Sequence, residues 1–279
     1  MDLALIFRRH SMVFRVVTAA VLIPVLALVV WVGSLWLSAL AAALAVLGAL
    51  EFCRMAREWE KCPDAPVAVV WSLALVTAGH ALSGGLTGEL TVKVVVGAAS
   101  LSYLAWQVRF ARAHVSLAAW VVTAAAALYT GGLLAHAPLL RGLEQGREWV
   151  FLAVGVTFAA DTSAFLVGRS LGSRPLAPRV SPGKTWEGAV GGFLAAIGAS
   201  AASAFLFDLD VTLAAALLLG ALMGVVGQLG DLVESRLKRA ARVKDSGWLI
   251  PGHGGVLDRL DSIVFNLVLV YYFVLWGVQ

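Results

Sequence analysis

The chain has 279 residues, of which 60% are hydrophobic and only 14% charged, and its mean hydropathy is +0.88. Soluble domains use roughly 45–50% apolar and about 25% charged residues, so a soluble globular protein is excluded. With no soluble basic domain to carry it, the net charge of +4 gives no argument for nucleic-acid binding.

Apolar runs of the roughly 17 to 25 residues that a helix needs to cross the hydrocarbon core recur from end to end. Nine are expected, at approximately 13–31, 35–50, 66–83, 90–108, 115–135, 149–168, 186–207, 211–229 and 262–278. The second is short and the seventh is rich in glycine and alanine. The first follows basic residues as a signal peptide would, but no small-residue cleavage site stands out, so it reads as a retained helix. The expected fold is therefore an all-α integral membrane protein, a polytopic bundle of about nine transmembrane helices.

Lysine and arginine gather in cytoplasmic loops. With the N-terminus cytoplasmic and the C-terminus on the opposite side, 18 of the 21 Lys and Arg fall inside, and only Lys93, Arg141 and Arg147 fall elsewhere. Cys53 and Cys62 share one expected cytoplasmic loop, where a reducing environment disfavours a disulfide. Their spacing, with no histidine nearby, also disfavours zinc.

Polarity divides the chain in two. Residues 1–150 are spans joined by short loops that carry few groups capable of chemistry. Residues 151–279 hold nearly every group capable of chemistry, in cytoplasmic loops 169–186 and 230–261. Asp161 lies inside the sixth span, where a carboxylate costs about 2.5 to 3.5 kcal/mol and so faces the bundle interior or a wet cavity.

The densest polar block is SRLKRAARVKDSGWLIPGHGGVLDRLD, Ser235 to Asp261, with six Lys/Arg and three Asp in 27 residues. Asp231, Glu234, Ser235, Lys238 and Arg242 are spaced to share one face of a helix continuing from the eighth span. That face serves either a solvated helix end with internal ion pairs or an anion site. Asp258 and Asp261, three residues apart, share a face at the mouth of the last span. Packing of the last two spans would bring Asp231 to Asp258 or Asp261 and make a magnesium site, since this ion takes one or two carboxylates plus water and substrate phosphates. Neutralisation of neighbouring cations is the plainer alternative. Between them, Gly252, Gly254 and Gly255 let backbone amides approach an anion around His253.

Upstream, RVSPGKTWEG contains a GKT, yet a P-loop needs glycine where Pro178 stands, and no parallel sheet carries one. What survives is a turn followed by Lys184 and Thr185 at a helix N-terminus, where free amides and the dipole favour phosphate. Glu187 either caps that turn or approaches a metal, and an ordinary capped turn explains the segment equally well.

Taken together, Ser235 to Asp261, GDLVES (Gly230 to Ser235), SPGKTWEG (Ser181 to Gly188) and DTSAFLVGR (Asp161 to Arg169) resemble the phosphatidate cytidylyltransferase family, also called CDP-diacylglycerol synthases. The resemblance covers the C-terminal half; Ser163 departs from an expected glycine. It implies magnesium-dependent transfer of CMP from CTP to phosphatidic acid, giving CDP-diacylglycerol and pyrophosphate, at a site facing the cytoplasm from a bacterial-type inner membrane. A second, monovalent or divalent, cation and a homodimer are further implications. Asp231 and Asp258 would hold the metal, with Asp261 as third ligand or just behind. Lys184, Lys238, Arg239, Lys244 and Arg259 would hold phosphates, assisted by Ser181, Thr185 and His253, with Glu187, Ser235 and Gly254 in the same site. Asp161 would add a contact from the sixth span. The alternatives are a CTP-dependent lipid kinase of polyprenol or phytol type and a transporter with Asp161 on its path.

Overall fold

In the computed structural model the described residues are 23–58, 63–84, 95, 97, 117–247 and 254–277. They are mostly helical, and among them six helices are long and apolar enough to cross a membrane. In chain order the elements are α1 (Ile23–Val32), α2 (Ser34–Arg57), α3 (Ala65–Ser83), α4 (Leu117–Arg141), α5 (Gly146–Leu171), β1 (Pro175–Ala177), β2 (Ser181–Thr185), α6 (Trp186–Leu206), α7 (Leu213–Ala240), α8 (Leu257–Leu260) and α9 (Ile263–Gly277). Helices α1 and α9 are apolar but shorter than the other spans.

The expected spans map onto these helices with informative differences. The second span is not short: α2 continues seven residues past Leu50, to Arg57, and its last turn carries Arg54 and Arg57 where they oppose the negative end of the helix dipole. The ninth is shorter than expected at 15 residues, about 22 Å of helix. Of the fourth, 90–108, only residues 95 and 97 are among the described residues. Arg242 does not extend the polar face of α7, because that helix ends at Ala240 and Arg242 turns into the left-handed region at φ 56°.

Local chemistry explains the starts. Asp64 caps α3 by accepting from Val67 N at 3.2 Å, with Pro66 in the first turn. Thr185 caps α6 by accepting from Gly188 N at 3.1 Å, and Thr212 caps α7 by accepting from Ala215 N at 3.2 Å. Within α4, Leu128–Gly132 forms a π-helical turn, a feature that recurs at functional sites.

Helices α5, α6, α7 and α9 pack in sequence, while α2, α3 and α4 form a second group against them. The main core joins Trp149, Leu152 and Val156 of α5 to Leu219 and Met223 of α7 and Leu267 and Val270 of α9. Two polar contacts cross it: Asn266 Nδ2 donates to Thr157 Oγ1 at 2.9 Å and Ser200 Oγ to the Ala216 carbonyl at 2.8 Å. The outward faces are apolar, with Phe205, Leu206 and Trp276 exposed, as lipid-facing positions require.

Two glycines set the spacing that matters for the polar end. A Cβ on Gly188 would lie 2.7 Å from the Ala164 carbonyl oxygen, so glycine there lets α6 close on α5. A Cβ on Gly230 would meet the Phe265 ring and the Asp261 carbonyl oxygen, so glycine there lets α7 close on the start of α9. The first contact brings Lys184 toward Asp161, and the second brings Asp231 toward Asp261.

Candidate active site

The C-terminal ends of α5 and α7, the start of α6, strand β2 and helix α8 enclose a cavity of about 600 Å³. Its lining includes Asp161, Lys184, Thr185, Asp231, Asp258, Arg259 and Asp261, residues drawn from separate sequence segments. The segment before α6 is not a simple turn: β1 and β2 pair antiparallel as a hairpin, with Pro175 opposite Thr185 and Ala177 opposite Ser181. This hairpin, unannounced in the sequence, carries Lys184 over the cavity and ends on Thr185, the cap of α6.

Lys184 Nζ lies 2.5 Å from Asp231 Oδ2, joining the hairpin to α7. Deeper in, Asp231, Glu234 and Asp261 form a cluster whose ligand oxygens all lie within 4.8 Å of one another. Glu234 is fully buried, and neither of its oxygens has a hydrogen-bond partner of good geometry among the described residues, although Oε2 lies 2.5 Å from Lys238 Nζ. Burial, then the charges of Asp231 and Glu234, push the Asp261 carboxyl up to about 8. The Ser262 amide donates to Asp261 Oδ1 at 2.7 Å, and three carboxylates converging this closely can hold a metal ion.

Asp258 is arranged in the opposite way. Its Oδ1 accepts from Lys238 Nζ at 2.6 Å, and its Oδ2 accepts from Ser246 N at 2.9 Å, Ser246 Oγ at 3.0 Å and Gly255 N at 2.7 Å. Burial acts to raise its pKa, but the Lys238 hydrogen bond and these amides outweigh it and hold the carboxyl below its ordinary value. Asp258 thus faces Lys238 and the turn around Gly255, and Glu234 takes the place beside Asp231 and Asp261 that spacing had offered to Asp258.

The other expected site residues divide by position. Lys238 bridges Glu234 and Asp258 without lining the cavity. Ser235 Oγ donates to Asp231 Oδ1 at 3.3 Å. Glu187 does not approach the acidic cluster; it accepts from Ser173 Oγ at 2.7 Å and from the amides of Ser173 and Arg174, closing the turn before the hairpin. Arg239 Nε donates to the Val180 carbonyl at 3.2 Å, tying α7 to the hairpin turn. Ser181 pairs within the hairpin, and exposed Lys244 lies away from the cavity lining. Gly254 adopts φ 85° with its Cα beside Asp258. His253 lies outside the described residues.

A model of the cytidylyltransferase family matches residues 13–276, nearly the whole chain. The chain belongs to the cytidylyltransferase family. It is 33% identical to the phosphatidate cytidylyltransferase of Brucella abortus over 261 residues, 93% of this chain and 92% of that protein. The phosphatidate cytidylyltransferase of Synechocystis sp. is also 33% identical, with 93% of this chain and 95% of that protein covered. That of Bacillus subtilis is 43% identical over 148 residues, which is 53% of this chain and 55% of its own length. The cytidylyltransferase match therefore includes the N-terminal spans, whose composition alone carries no family information.

Three residues of this cytidylyltransferase-family chain went unassigned in the sequence. Gln228 lines the cavity and donates to the Ala189 carbonyl at 3.0 Å, bracing α7 against α6. Tyr129, on the π-helical turn of α4, buries a hydroxyl that has no hydrogen-bond partner among the described residues. Glu51 reaches the turn around Gly255 from α2. A carboxylate near the end of an apolar span was the available signal for Glu51; nothing in the sequence marks Tyr129.

Proposed function

We propose that the protein is a phosphatidate cytidylyltransferase, moving CMP from CTP to phosphatidic acid to give CDP-diacylglycerol and pyrophosphate. The observation that carries this reading is the single cavity in which Lys184 and Arg259 face Asp161, Asp231 and Asp261 at the polar end of an apolar bundle. Such a place suits two polyanionic substrates, one of them a lipid. The family match over residues 13–276, and relatives of that name aligned over most of their length, support it.

The chemistry asks for positioning and charge neutralisation more than for covalent help. An oxygen of the lipid phosphate attacks the α-phosphorus of CTP, a new P–O bond forms, and the bond from that phosphorus to the β-phosphate bridging oxygen breaks, releasing pyrophosphate. The attacking phosphate is already ionised at neutral pH, so no general base and no enzyme-bound intermediate are required. Lys184 and Arg259 hold phosphate oxygens; Lys184, paired with Asp231 in this structure, exchanges that partner for the incoming phosphates. Thr185 and the first amides of α6 give the triphosphate a dipole end to rest against. Asp231, Glu234 and Asp261 would hold magnesium, which supplies neutralisation of the phosphates as they approach. A second, monovalent or divalent, cation shared with substrate is part of this reading.

The orientation follows from the charge tally: with nine spans and a cytoplasmic N-terminus, the cavity opens to the cytoplasm, where CTP is available. A position at one end of α5, α6 and α7 suits an enzyme better than a transporter, whose site belongs near the bilayer midplane. Purified protein given phosphatidic acid, magnesium and CTP labelled at the α-phosphate tests the reading. Label in the lipid is expected. Label in CDP with an unlabelled lipid phosphate means a CTP-dependent kinase, and no turnover at all overturns both.

A further inference from the structure

Helix α2 contributes a carboxylate to the polar end of the bundle, and it does not line the cavity. Glu51 sits on α2, about two turns before the end of that helix. Its Oε1 accepts from Val256 N at 2.9 Å, and its Oε2 accepts from Leu257 N at 3.0 Å and from Ser246 Oγ at 3.0 Å. The partners stand 195 to 206 residues away in sequence. One side chain thus ties Ser246 to the start of α8.

The fit around this carboxylate is close. A Cβ on Gly247 would meet Glu51 Oε1, and a Cβ on Gly255 would lie 2.5 Å from Glu51 Oε2 and also meet Ser246 Oγ. Both glycines therefore leave the room that the carboxylate fills. Ser246 is shared: its hydroxyl lies 3.0 Å from both Glu51 Oε2 and Asp258 Oδ2, and its amide donates to Asp258. Asp258 in turn binds Lys238, which reaches Glu234 in the acidic cluster. A continuous chain of short polar contacts thus runs from α2 to the cluster, and the start of α8 that it fixes presents Asp258 and Arg259 to the cavity.

We infer that Glu51 is a positioning residue for the reaction: from the N-terminal half it holds Ser246, Val256 and Leu257 in the arrangement that sets Asp258 and Arg259 at the cavity wall. The inference rests on the cytidylyl-transfer reading above. An ionised carboxylate is the side chain suited to this place, since it accepts from two amides and a hydroxyl together, and such charge-assisted bonds are about twice as strong as neutral ones. Glutamine has nearly the same shape but one acceptor oxygen, and its NH2 would face a donor. Aspartate keeps the charge and falls short by one methylene.

The test compares wild type, Glu51→Gln, Glu51→Asp, Ser246→Ala and the Glu51→Gln/Ser246→Ala double variant, each purified in detergent. Monodispersity and thermal midpoint are measured alongside steady-state kinetics of CMP transfer. Small misplacements of a reacting group cost up to about 10²-fold in rate. For Glu51→Gln, kcat is expected to fall at least about tenfold, with a smaller change in KM for phosphatidic acid. Ser246→Ala is expected to lose about three- to fivefold, and the double variant is expected to be no worse than Glu51→Gln within about twofold, since the two groups act through one contact. Glu51→Asp should restore part of the loss. A Glu51→Gln enzyme that is folded at the assay temperature and keeps kcat within about twofold overturns the inference, as does a double variant in which the two losses multiply. If Glu51→Gln does not fold, Glu51→Asp and Ser246→Ala decide the matter: wild-type kcat in both overturns the inference, and a fall in both that exceeds any change in KM supports it. A wild-type protein without CMP transfer in the same assay overturns the functional reading instead.

Discussion

Two groups of carboxylates lie side by side at the polar end of the bundle, and they are built on opposite plans. Asp258 and Glu51 are saturated: between them they take a lysine, three backbone amides besides that of Ser246, and the Ser246 hydroxyl. Asp231, Glu234 and Asp261 crowd within 4.8 Å, and the deepest of them, Glu234, has no good hydrogen bond among the described residues. Desolvated charge with a full set of donors is architecture. Three carboxylates crowded together, with Lys184 and Lys238 at their edges and the Ser262 amide on Asp261, still repel one another, and a bound cation relieves that repulsion.

That contrast can be broken at three points. The largest effect is expected from Asp231→Asn and Asp261→Asn, each of which should lower kcat for CMP transfer by about 10³-fold or more, roughly 4 kcal/mol of transition-state stabilisation. Without metal, Asp261→Asn should melt no lower than wild type, because it removes repulsion from Asp231 and Glu234. Near-normal turnover in both variants would remove the distinction between the two groups.

Asp258→Ala should do the reverse and act first on stability. The Lys238 and Asp258 side chains are only 13% and 7% exposed; Lys238 keeps Glu234 as its partner, but the amides of Ser246 and Gly255 lose their acceptor, at about 1 to 3 kcal/mol. A thermal midpoint close to wild type would place Asp258 with the functional cluster instead.

The third test uses pH and metal. Asp261 is pushed up to about 8 in the folded chain, against about 3.9 for an unfolded aspartate. The native state therefore binds more protons across this window, and stability falls as pH rises toward 8. In chelator the melting midpoint should rise as pH is lowered from about 8 to about 6. Asp258 has the opposite sign: its depressed pKa contributes stability present above about 3.9 and lost only as pH falls through its folded value, so it leaves this window alone. Adding magnesium at about 100 times its Kd should stabilise by about 2.7 kcal/mol and flatten the slope. A midpoint that ignores both pH and magnesium would leave the cluster an accident of packing.

Much of the cavity is legible in the amino-acid sequence. Asp161, Lys184, Asp231, Asp258, Arg259 and Asp261 stand out because a charge in so apolar a chain has few reasons to be there, and all six line one cavity. What could not be read was which acid does what. Asp258 and Glu234 each lie three residues from another acid of the site, on equally helical spacings. Lys238 reaches both acids, so the choice turned on the amides of Ser246 and Gly255, which hold Asp258 to one side while Glu234 stays with the cluster. The hairpin at Pro175 to Thr185 is hidden because its second strand, five residues with a proline and a glycine among them, shows no alternation to detect. Glu51 is hidden because its partners lie some two hundred residues away.

Membrane residence and helical class are written into composition and run length, since the free energy of moving side chains into hydrocarbon accumulates residue by residue along a segment. The pairing of charges at the polar end was decided by the packing of α2, α7 and α8. Coulomb energy depends on distance and local dielectric, and both come into being only when those helices meet.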